Sequence, residues 1–285
     1  MQSIGLKKKI SLAHSKDADD AFMFYALFSD IIQNQNFEIK NVLKDIQTLN
    51  TDSLSEKFDI QAVSFFMYPE IEDKYQLLSC GGSLGNGYGP LLVGKKKFSP
   101  EDLKKETILV PGEKTTAFLL LKLLLKDFKY KVLPFDEILE SVAKGNYSLG
   151  LLIHEGQLAY VKYGLVKILD LGEWWHGKTN LPVPLGGNVI KRAFANDEKK
   201  EINSLIKKSI VYGLENVDKI IPYVAKYARG ISDDTEKVKE FVTMYVNEFT
   251  VDYGVQGKLA IKKLYELALK DGLINKMPVL DFVVS

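Results

Sequence analysis

The chain contains three histidines, and the residues before His154 put it where a catalytic base can work. It follows the apolar run 148–153, whose length and composition predict a buried strand. Ligands of open α/β sheets bind at the carboxyl ends of strands. A neutral imidazole there can accept a proton, because its ordinary pKa lies near the working pH. Two interpretations stay open from these residues alone: a general base, or a structural histidine hydrogen-bonded at the strand end.

His14 has a similar setting, since it follows the predicted strand 10–13 and precedes two aspartates, Asp19 and Asp20. Carboxylates at a helix start accept hydrogen bonds from free amides and complement the helix dipole, so we expect at least one of them to cap the next helix. No second histidine stands at metal-ligand spacing, and the lone Cys80 leaves too few thiols for a zinc thiolate site. We therefore expect no metal.

Two adjacent threonines, Thr115 and Thr116, are the third candidate. They follow a turn at Gly112 and open an apolar helix, and hydroxyls beside free amides at a helix start bind carboxylate or phosphate groups. The segment is not a P-loop, because the Gly-Lys-Ser/Thr order is missing. An ordinary N-cap explains the same residues equally well, so both interpretations stay open.

Short apolar runs alternate with longer amphipathic runs, and this order predicts an α/β fold. We predict strands at 10–13, 37–43, 60–65, 90–93, 107–110, 131–133, 148–153 and 166–169. We predict helices at 19–27, 46–57, 116–125 and 136–143, and an almost purely helical section at 197–271.

Two stretches interrupt this order: the glycine-rich residues 81–89 and the Pro/Gly-rich residues 181–187. Each is a place where the chain can pass from one lobe to another. Two such crossings predict a discontinuous first lobe, 1–92 plus 189–285, that encloses a second lobe, 93–188. Ligands commonly bind in clefts between lobes, so we expect the ligand there.

Composition and charge exclude several classes of protein. Lys+Arg 38 against Asp+Glu 37 gives a net charge of +1, which argues against a nucleic-acid partner. One cysteine excludes an intrachain disulfide framework. The apolar run near the amino terminus is too short for a signal peptide. The uncharged stretch 75–94 is long enough to span a membrane but holds too many glycines for a spanning helix, so we interpret this stretch as a turn-rich connector. We expect a cytoplasmic protein without a membrane partner; its oligomeric state stays open.

Five segments together resemble one family, 1,4-dihydroxy-6-naphthoate synthase of the futalosine route to menaquinone. They are Asp-Asp-Ala-Phe-Met-Phe-Tyr-Ala-Leu at 19–27, Gly-Gly-Ser-Leu-Gly at 81–85 with Gly-Tyr-Gly-Pro at 87–90, Val-Pro-Gly at 110–112 with Thr-Thr-Ala at 115–117, Leu-Ile-His-Glu-Gly at 152–156 with Gly-Leu at 164–165, and Asp-Leu-Gly-Glu-Trp-Trp at 170–175 with Leu-Pro-Val-Pro-Leu-Gly-Gly at 181–187. The resemblance covers the whole chain. It implies an α/β, two-lobed, periplasmic-binding-protein-like (type II) fold used as a cytoplasmic enzyme.

The resemblance also implies an activity and a set of site residues. The reaction is that of a lyase, which converts the small-molecule substrate cyclic dehypoxanthine futalosine to 1,4-dihydroxy-6-naphthoate and needs no cofactor. His154 corresponds to the proposed catalytic base of the family. The pocket residues correspond to Thr115, Thr116, Asn50 and Ser64.

One departure from the family concerns the first segment. The usual signature reads Ser-Pro-Cys-Pro-Asn-Asp-Thr-Phe, whereas residues 15–22 here read Ser-Lys-Asp-Ala-Asp-Asp-Ala-Phe. In a two-lobed chain this segment faces the cleft opposite His154, so we expect His14, Ser15 and Asp19 to line the pocket.

Three other functions share this fold. A solute-binding protein of a transporter would carry a secretory signal or a lipid-anchored cysteine, and the effector lobe of a transcription regulator would follow a DNA-binding helix pair. Chorismate dehydratase of the same pathway is the third. The Ile-His-Glu and Leu-Gly-Glu-Trp-Trp segments favour the naphthoate synthase.

Overall fold

The computed structural model of this protein describes residues 6–283, which form two β-sheets with helices packed around them. The strands are β1 (Lys8–His14), β2 (Phe37–Leu43), β3 (Ile60–Ser64), β4 (Tyr75–Leu78), β5 (Ser83–Gly85), β6 (Leu91–Gly94), β7 (Thr107–Val110), β8 (Lys129–Val132), β9 (Leu149–Leu152), β10 (Val166–Asp170), β11 (Val183–Lys191) and β12 (Phe282–Val283).

The α-helices alternate with these strands and then dominate the carboxyl-terminal third. They are α1 (Ala18–Met23), α2 (Tyr25–Phe28), α3 (Ile46–Ser53), α4 (Pro100–Leu103), α5 (Thr116–Leu125), α6 (Phe135–Lys144), α7 (Gly156–Ala159), α8 (Leu171–Thr179), α9 (Asn196–Glu215), α10 (Val217–Val224), α11 (Thr235–Tyr245), α12 (Glu248–Val251) and α13 (Gly254–Lys270). Short 3₁₀ turns lie at Tyr68–Glu70, Tyr160–Tyr163 and Ala225–Tyr227. In the described part of the chain no helix combines the length and apolar character needed to cross a membrane.

The first sheet has the strand order β12-β4-β11-β3-β1-β2, with β5 paired to β11, and the second has the order β10-β6-β9-β7-β8. In the first sheet β1 runs parallel to β2 and β3, and in the second β7 runs parallel to β8 and β9. The carboxyl ends of parallel strands lie at one edge of their sheet, and this is the edge where ligands bind. The α/β prediction is confirmed.

The helical section packs on the first sheet, as its sequence pattern indicates. Ile202, Ile206 and Ile210 recur at helical spacing along α9 and share one core cluster with Ile10 and Leu12 of β1. All five side chains are almost fully buried. An apolar stripe of this kind drives a helix onto a sheet, because burial of a large aliphatic side chain is worth about 1.5–3 kcal/mol.

The two stretches interpreted as connectors contain strands, so that interpretation needs correction. Residues 75–94 include all of β4, β5 and β6, and residues 183–187 of the Pro/Gly-rich stretch lie within β11. Two of the glycines in this region allow two backbone segments to approach each other closely. A Cβ on Gly172 would lie 2.0 Å from the carbonyl carbon of Tyr88, and a Cβ on Gly89 would lie 2.8 Å from the nitrogen of Gly172. Two backbone segments therefore cross in contact, which side chains would prevent.

The change from one sheet to the other falls between β5 and β6, and again between β10 and β11. The predicted boundaries 92/93 and 188/189 lie within β6 and β11, a few residues beyond these points. The assignment of residues 1–92 plus 189–285 to one lobe and 93–188 to the other stays a prediction. The helix predicted at 19–27 is two helices, because Phe24 between them has a ψ of 1°, which is not helical.

Candidate active site

A cavity of about 100 Å³ lies between the two sheets, where the parallel strands of both sheets end. The first sheet and its helices contribute Ser15, Asp17, Asp19, Asp20, Met23, Ile46, Ala62, Val63, Ser64, Gly81, Ser83, Leu185, Gly186, Gly187, Phe241 and Tyr245. The second sheet and its flanking segments contribute Pro90, Thr115, Thr116, Ala117, Ile153, His154 and Gln157. Because residues from both sheets meet at their strand ends, this cavity is the candidate active site.

His154 lines the cavity two residues beyond the end of β9. Its backbone has a φ of 55°, in the left-handed region that non-glycine residues seldom adopt, although histidine does so more than most. The ring packs edge-on against Phe135, with 4.9 Å between ring centroids. Strained backbone of this kind clusters at functional sites, so the conformation supports a functional role for this histidine.

The nearest polar partner of His154 comes from the other sheet. The Nδ1 atom of His154 lies 2.7 Å from Oδ2 of Asp17, and the hydroxyl of Ser15 donates to the same oxygen at 2.6 Å. Burial raises the pKa of Asp17, but the charge and hydrogen bond of His154 outweigh it and hold that pKa well below its usual range. Burial conversely lowers the pKa of His154, and the charge of Asp17 reverses this, so the pKa of His154 is raised.

The side chain of the next residue, Glu155, also contacts a segment of the first sheet's half of the molecule. Its Oε1 accepts a hydrogen bond from the backbone nitrogen of Ala18 at 2.9 Å, and Ala18 is the first residue of α1. Burial and the neighbouring charge of Asp17 raise the pKa of Glu155 to about 7. The start of α1 is therefore capped by a residue from the second sheet, not by the aspartates that the sequence indicated.

Those aspartates lie in the first turn of α1 and face the same region. Asp20 accepts the backbone N–H of Ser15 at 2.6 Å, and Asp19 lines the cavity. Burial and the nearby carboxylates raise the pKa of Asp19 well above its usual value, and burial also raises that of Asp20. Crowding of carboxyl groups in a dry site favours the protonated form of some of them.

Three of these groups have the residue types of a metal site. Asp17, Asp19 and His154 each offer one ligand atom, and these atoms lie within 4.8 Å of one another. However, Asp17 and His154 already contact each other at 2.7 Å through one of those atom pairs, which is the geometry of a charge-assisted hydrogen bond. We therefore describe the group as a hydrogen-bonded cluster and derive no chemistry from a metal ion.

Thr115 and Thr116 both line the cavity, and their hydroxyls have backbone partners. Thr115 caps α5, since its hydroxyl accepts from the nitrogen of Phe118 at 3.3 Å. The hydroxyl of Thr116 donates to the carbonyl of Leu185 at 2.5 Å and accepts from the nitrogen of Phe66 at 3.2 Å. The N-cap interpretation is what the structure shows for Thr115, and Thr116 links α5 to the first sheet. The first amides of α5 remain the groups that can meet an anionic ligand.

Of the other two pocket residues implied by the resemblance, Ser64 lines the cavity and Asn50 lies behind it. Ser64, the last residue of β3, lines the cavity. Asn50 is fully buried and supports it: the amide of Asn50 donates to the hydroxyl of Ser64 at 3.0 Å, and its oxygen accepts the Ser64 nitrogen at 2.9 Å. Asn50 thus orients Ser64 and does not itself form the wall.

His14 does not reach this cavity, which corrects the expectation that it lines the pocket. Its ring lies 4.6 Å from that of Phe24 and borders a smaller cavity of its own. Its Nδ1 lies 2.8 Å from the carbonyl oxygen of Ser15 and 3.7 Å from a carboxylate oxygen of Asp20. The other two residues of that expectation, Ser15 and Asp19, do line the cavity. His14 is the last residue of β1, and its ring packs against Phe24 and Phe28, whereas the next residue, Ser15, lies beyond the strand and lines the cavity.

Sequence reasoning overlooked four residues of this site: Asp17, Glu155, Gln157 and Tyr245. Gln157 and Tyr245 both line the cavity and are joined by a hydrogen bond of 2.7 Å across the two halves of the site. Asp17 carried a signal, since it stands where the usual family signature has cysteine, and so did Glu155, which follows His154 in one of the five family segments. Gln157 lies in the short helix α7 and Tyr245 at the end of α11, and their local pattern does not mark them.

Relatives of this chain share most of its length. A family model described as menaquinone biosynthesis matches residues 10–270. A 1,4-dihydroxy-6-naphthoate synthase of Thermus thermophilus is 34% identical over 269 residues, covering 94% of this chain and 97% of the relative. A second enzyme of that name, from Streptomyces coelicolor, is 32% identical over 271 residues, covering 93% of this chain and 94% of the relative.

Comparison with solved structures shows the class of fold to which this chain belongs. A protein of Archaeoglobus fulgidus superposes with a TM-score of 0.89 at 43% identity, covering 96% of this chain and 100% of the other. The periplasmic aliphatic sulphonate binding protein of Escherichia coli, only 9% identical, superposes with a TM-score of 0.68 and covers 96% of this chain and 91% of the other. The fold and its cavity define a two-lobed, periplasmic-binding-protein-like protein, and the prediction of this fold is confirmed. The chain belongs to the menaquinone-biosynthesis family that contains the two 1,4-dihydroxy-6-naphthoate synthases.

Proposed function

We propose that this chain is a lyase that converts cyclic dehypoxanthine futalosine to 1,4-dihydroxy-6-naphthoate, with His154 as the general base. Its two relatives carry the name of that synthase. The observation that carries the proposal is the state of the Nε2 atom of His154. It is buried at the cavity, and no group of the described residues forms a hydrogen bond to it.

An unpartnered Nε2 has a use in this reaction. Buried polar atoms are nearly always hydrogen-bonded, so an exception at a cavity indicates that a ligand supplies the partner. His154 would take a proton from a substrate carbon next to a carbonyl group. The electron pair of that C–H bond becomes part of the new ring, and the sugar-derived fragment departs as the ring becomes aromatic. General bases of this kind contribute about 10²–10⁴-fold to the rate.

The remaining cavity residues fit the task of holding this substrate. The start of α5 at Thr116 brings backbone amides next to the cavity, and amides at a helix start favour a carboxylate or sugar oxygen. Ser64 offers a hydroxyl that Asn50 holds in place. The apolar side chains Ile46, Ile153 and Phe241 give a flat ring an apolar wall. Closing the cavity over the substrate would exclude water from the intermediate.

The test is direct incubation of the purified protein with the cyclic futalosine, followed by chromatography for the dihydroxynaphthoate. We expect product from the wild type and a loss of at least ~10²-fold in turnover for His154→Ala. His176→Ala is the matched control, because His176 is exposed on α8, and it should retain full turnover. A folded His154→Ala variant with near-normal turnover would disprove the base. Turnover of chorismate instead would reassign the chain to the dehydratase of the pathway. The cytoplasmic location and the lack of nucleic-acid and membrane partners stay predictions.

A further inference from the structure

The contact between His154 and Asp17 joins the second sheet to the first across the cavity. We propose that Asp17 is a positioning residue for the base: its carboxylate holds the protonated Nδ1 of His154 and so keeps Nε2 unprotonated and turned to the substrate. This inference rests on the proposed function, in which His154 is the base.

The geometry is that of a charge-assisted hydrogen bond, with Nδ1 and Oδ2 at 2.7 Å. The Asp17 side chain is 1% exposed and that of His154 18%, so water competes little for the contact. Ser15 donates its hydroxyl to the same oxygen at 2.6 Å, which fixes the carboxylate in turn. Ser15 thus orients the carboxylate of Asp17, and this carboxylate in turn orients the ring of His154.

The chemistry of the two groups then decides the tautomer. An ionised carboxylate can only accept hydrogen bonds, so the Nδ1 facing it must carry the proton. A neutral imidazole has one proton, and its Nε2 therefore keeps the lone pair that a base needs. When Nε2 takes the substrate proton, the ring becomes an imidazolium beside a negative charge, which stabilises the state formed during catalysis.

The alternative is that the contact between Asp17 and His154 only stabilises the packing of the two sheets, and this alternative explains the observations less well. Other contacts already cross the site, from Glu155 to Ala18, from Thr116 to Leu185 and from Tyr245 to Gln157, so no contact at Asp17 is required to join the sheets. Burying an ion pair is commonly neutral or costly for stability compared with apolar residues. The pair also leaves buried atoms without partners among the described residues, Oδ1 of Asp17 and Nε2 of His154. A stabilising tie would satisfy both.

Asp17 also occupies the position where the usual family signature has cysteine. A thiol is a weak hydrogen-bond partner compared with a carboxylate. Replacing Asp17 by Cys is therefore an informative change, because it restores the usual residue while removing the strong acceptor.

The proposal makes a prediction about pH, which depends on every charged group around the ring. His154 is faced by Asp17, Asp19 and Asp20 from the α1 segment and by Glu155 from its own. A cation, Arg229, is also near, since its guanidinium lies 5.0 Å from the centroid of the Phe135 ring that packs on His154. The charge of Asp17 is the largest of the influences that raise the pKa of His154. Removing it lowers that pKa, so the acid limb of the kcat/KM profile should move to lower pH.

The first experiment compares wild type, Asp17→Asn, Asp17→Cys and His154→Ala with the cyclic futalosine as substrate. For Asp17→Asn we expect kcat to fall at least ~10-fold with KM little changed, and the acid limb to move to lower pH. The kcat of Asp17→Cys should fall at least as far as that of Asp17→Asn, because a thiol is a weaker acceptor than an amide oxygen. Asp59→Asn is the matched control: Asp59 is a partly buried carboxylate that binds Ser11 and Lys191 away from the cavity. It should lower thermal stability and leave kcat and the pH profile unchanged.

The outcomes separate the two proposals. If His154→Ala is inactive while folded Asp17→Asn keeps the wild-type kcat and pH profile, the positioning role is refuted and the base stands. If folded His154→Ala keeps near-normal turnover, His154 is not the base and the positioning role of Asp17 fails with it. Absence of product from the wild type would instead refute the proposed lyase activity.

A measurement on the unmutated protein covers the case in which the Asp17 variants do not fold. Nitrogen-15 NMR of histidine-labelled full-length protein reports which ring nitrogen carries the proton, and the His154 signals are identified by their loss in His154→Ala. We expect a protonated Nδ1 and an unprotonated Nε2 at a pH where the ring is neutral. The opposite tautomer would overturn the proposal, since Nε2 would then carry the proton.

Discussion

We expect Glu155 to make the folding stability of this protein depend on pH, and Glu155→Gln to remove the part of that dependence that comes from Glu155. In the folded protein burial and the charge of Asp17 raise the pKa of Glu155 from 4.5 to about 7. In the folded protein the neutral carboxyl is therefore favoured below pH ~7, while the unfolded chain ionises at its ordinary pKa. Stability from this group is fully present below pH ~4.5 and is lost as pH rises through ~7.

The size of the effect follows from the two pKa values, 4.5 and about 7. At about 1.4 kcal/mol per pKa unit, ionised Glu155 costs the folded state about 3 kcal/mol. Most of this, about 2–3 kcal/mol, develops between pH 5 and pH 8. Glutamine stays neutral throughout and keeps an oxygen to accept the Ala18 amide, so its hydrogen bond can persist. The variant should gain stability over the wild type as pH rises.

The assay is urea denaturation of both proteins at pH 5, 6, 7 and 8, with the free energy of unfolding extrapolated to water. The difference between variant and wild type should grow by about 2–3 kcal/mol over this range. Glu137→Gln is the control, because Glu137 is exposed on α6 and its replacement should give a difference that is flat with pH. An equally flat difference for Glu155→Gln would mean that Glu155 is ionised in the folded protein, and the burial argument would be wrong.

Three further predictions follow from single contacts. Thr116→Val removes the hydrogen bond to the Leu185 carbonyl; we expect the free energy of unfolding to fall by about 1–3 kcal/mol in urea denaturation, and KM for the cyclic futalosine to rise. His14→Phe should leave kcat and KM unchanged in a turnover assay, because the ring lies outside the main cavity; a large change in either would return His14 to the site. Gly172→Ala should lower the melting temperature measured by circular dichroism, because its Cβ would lie 2.0 Å from the carbonyl carbon of Tyr88; an unchanged melting temperature would contradict that close crossing.

The local elements of the fold could be predicted because their signals are local. Strand β7 and helix α5 have the predicted bounds, since a run of apolar residues and a Thr-Thr helix start act over a few neighbours. The place of His154 at a strand end belongs to the same kind of inference. Strand β11 was not predicted, because Pro184, Gly186 and Gly187 disfavour a strand locally. It is a strand because it pairs with β3, β4 and β5.

The site needed the tertiary structure for a different reason. The types of its groups were visible in the sequence, including the extra carboxylate at Asp17 and the histidine at 154. Which of them meet was not, because the bond from Ala18 to Glu155 spans 137 residues and joins segments that follow strands of different sheets. Burial and charge interactions set the pKa of a group, and both depend on neighbours that only the packed sheets supply. The same reason applies to His14: its sequence context matches that of His154, but its side chain packs against Phe24, outside the main cavity.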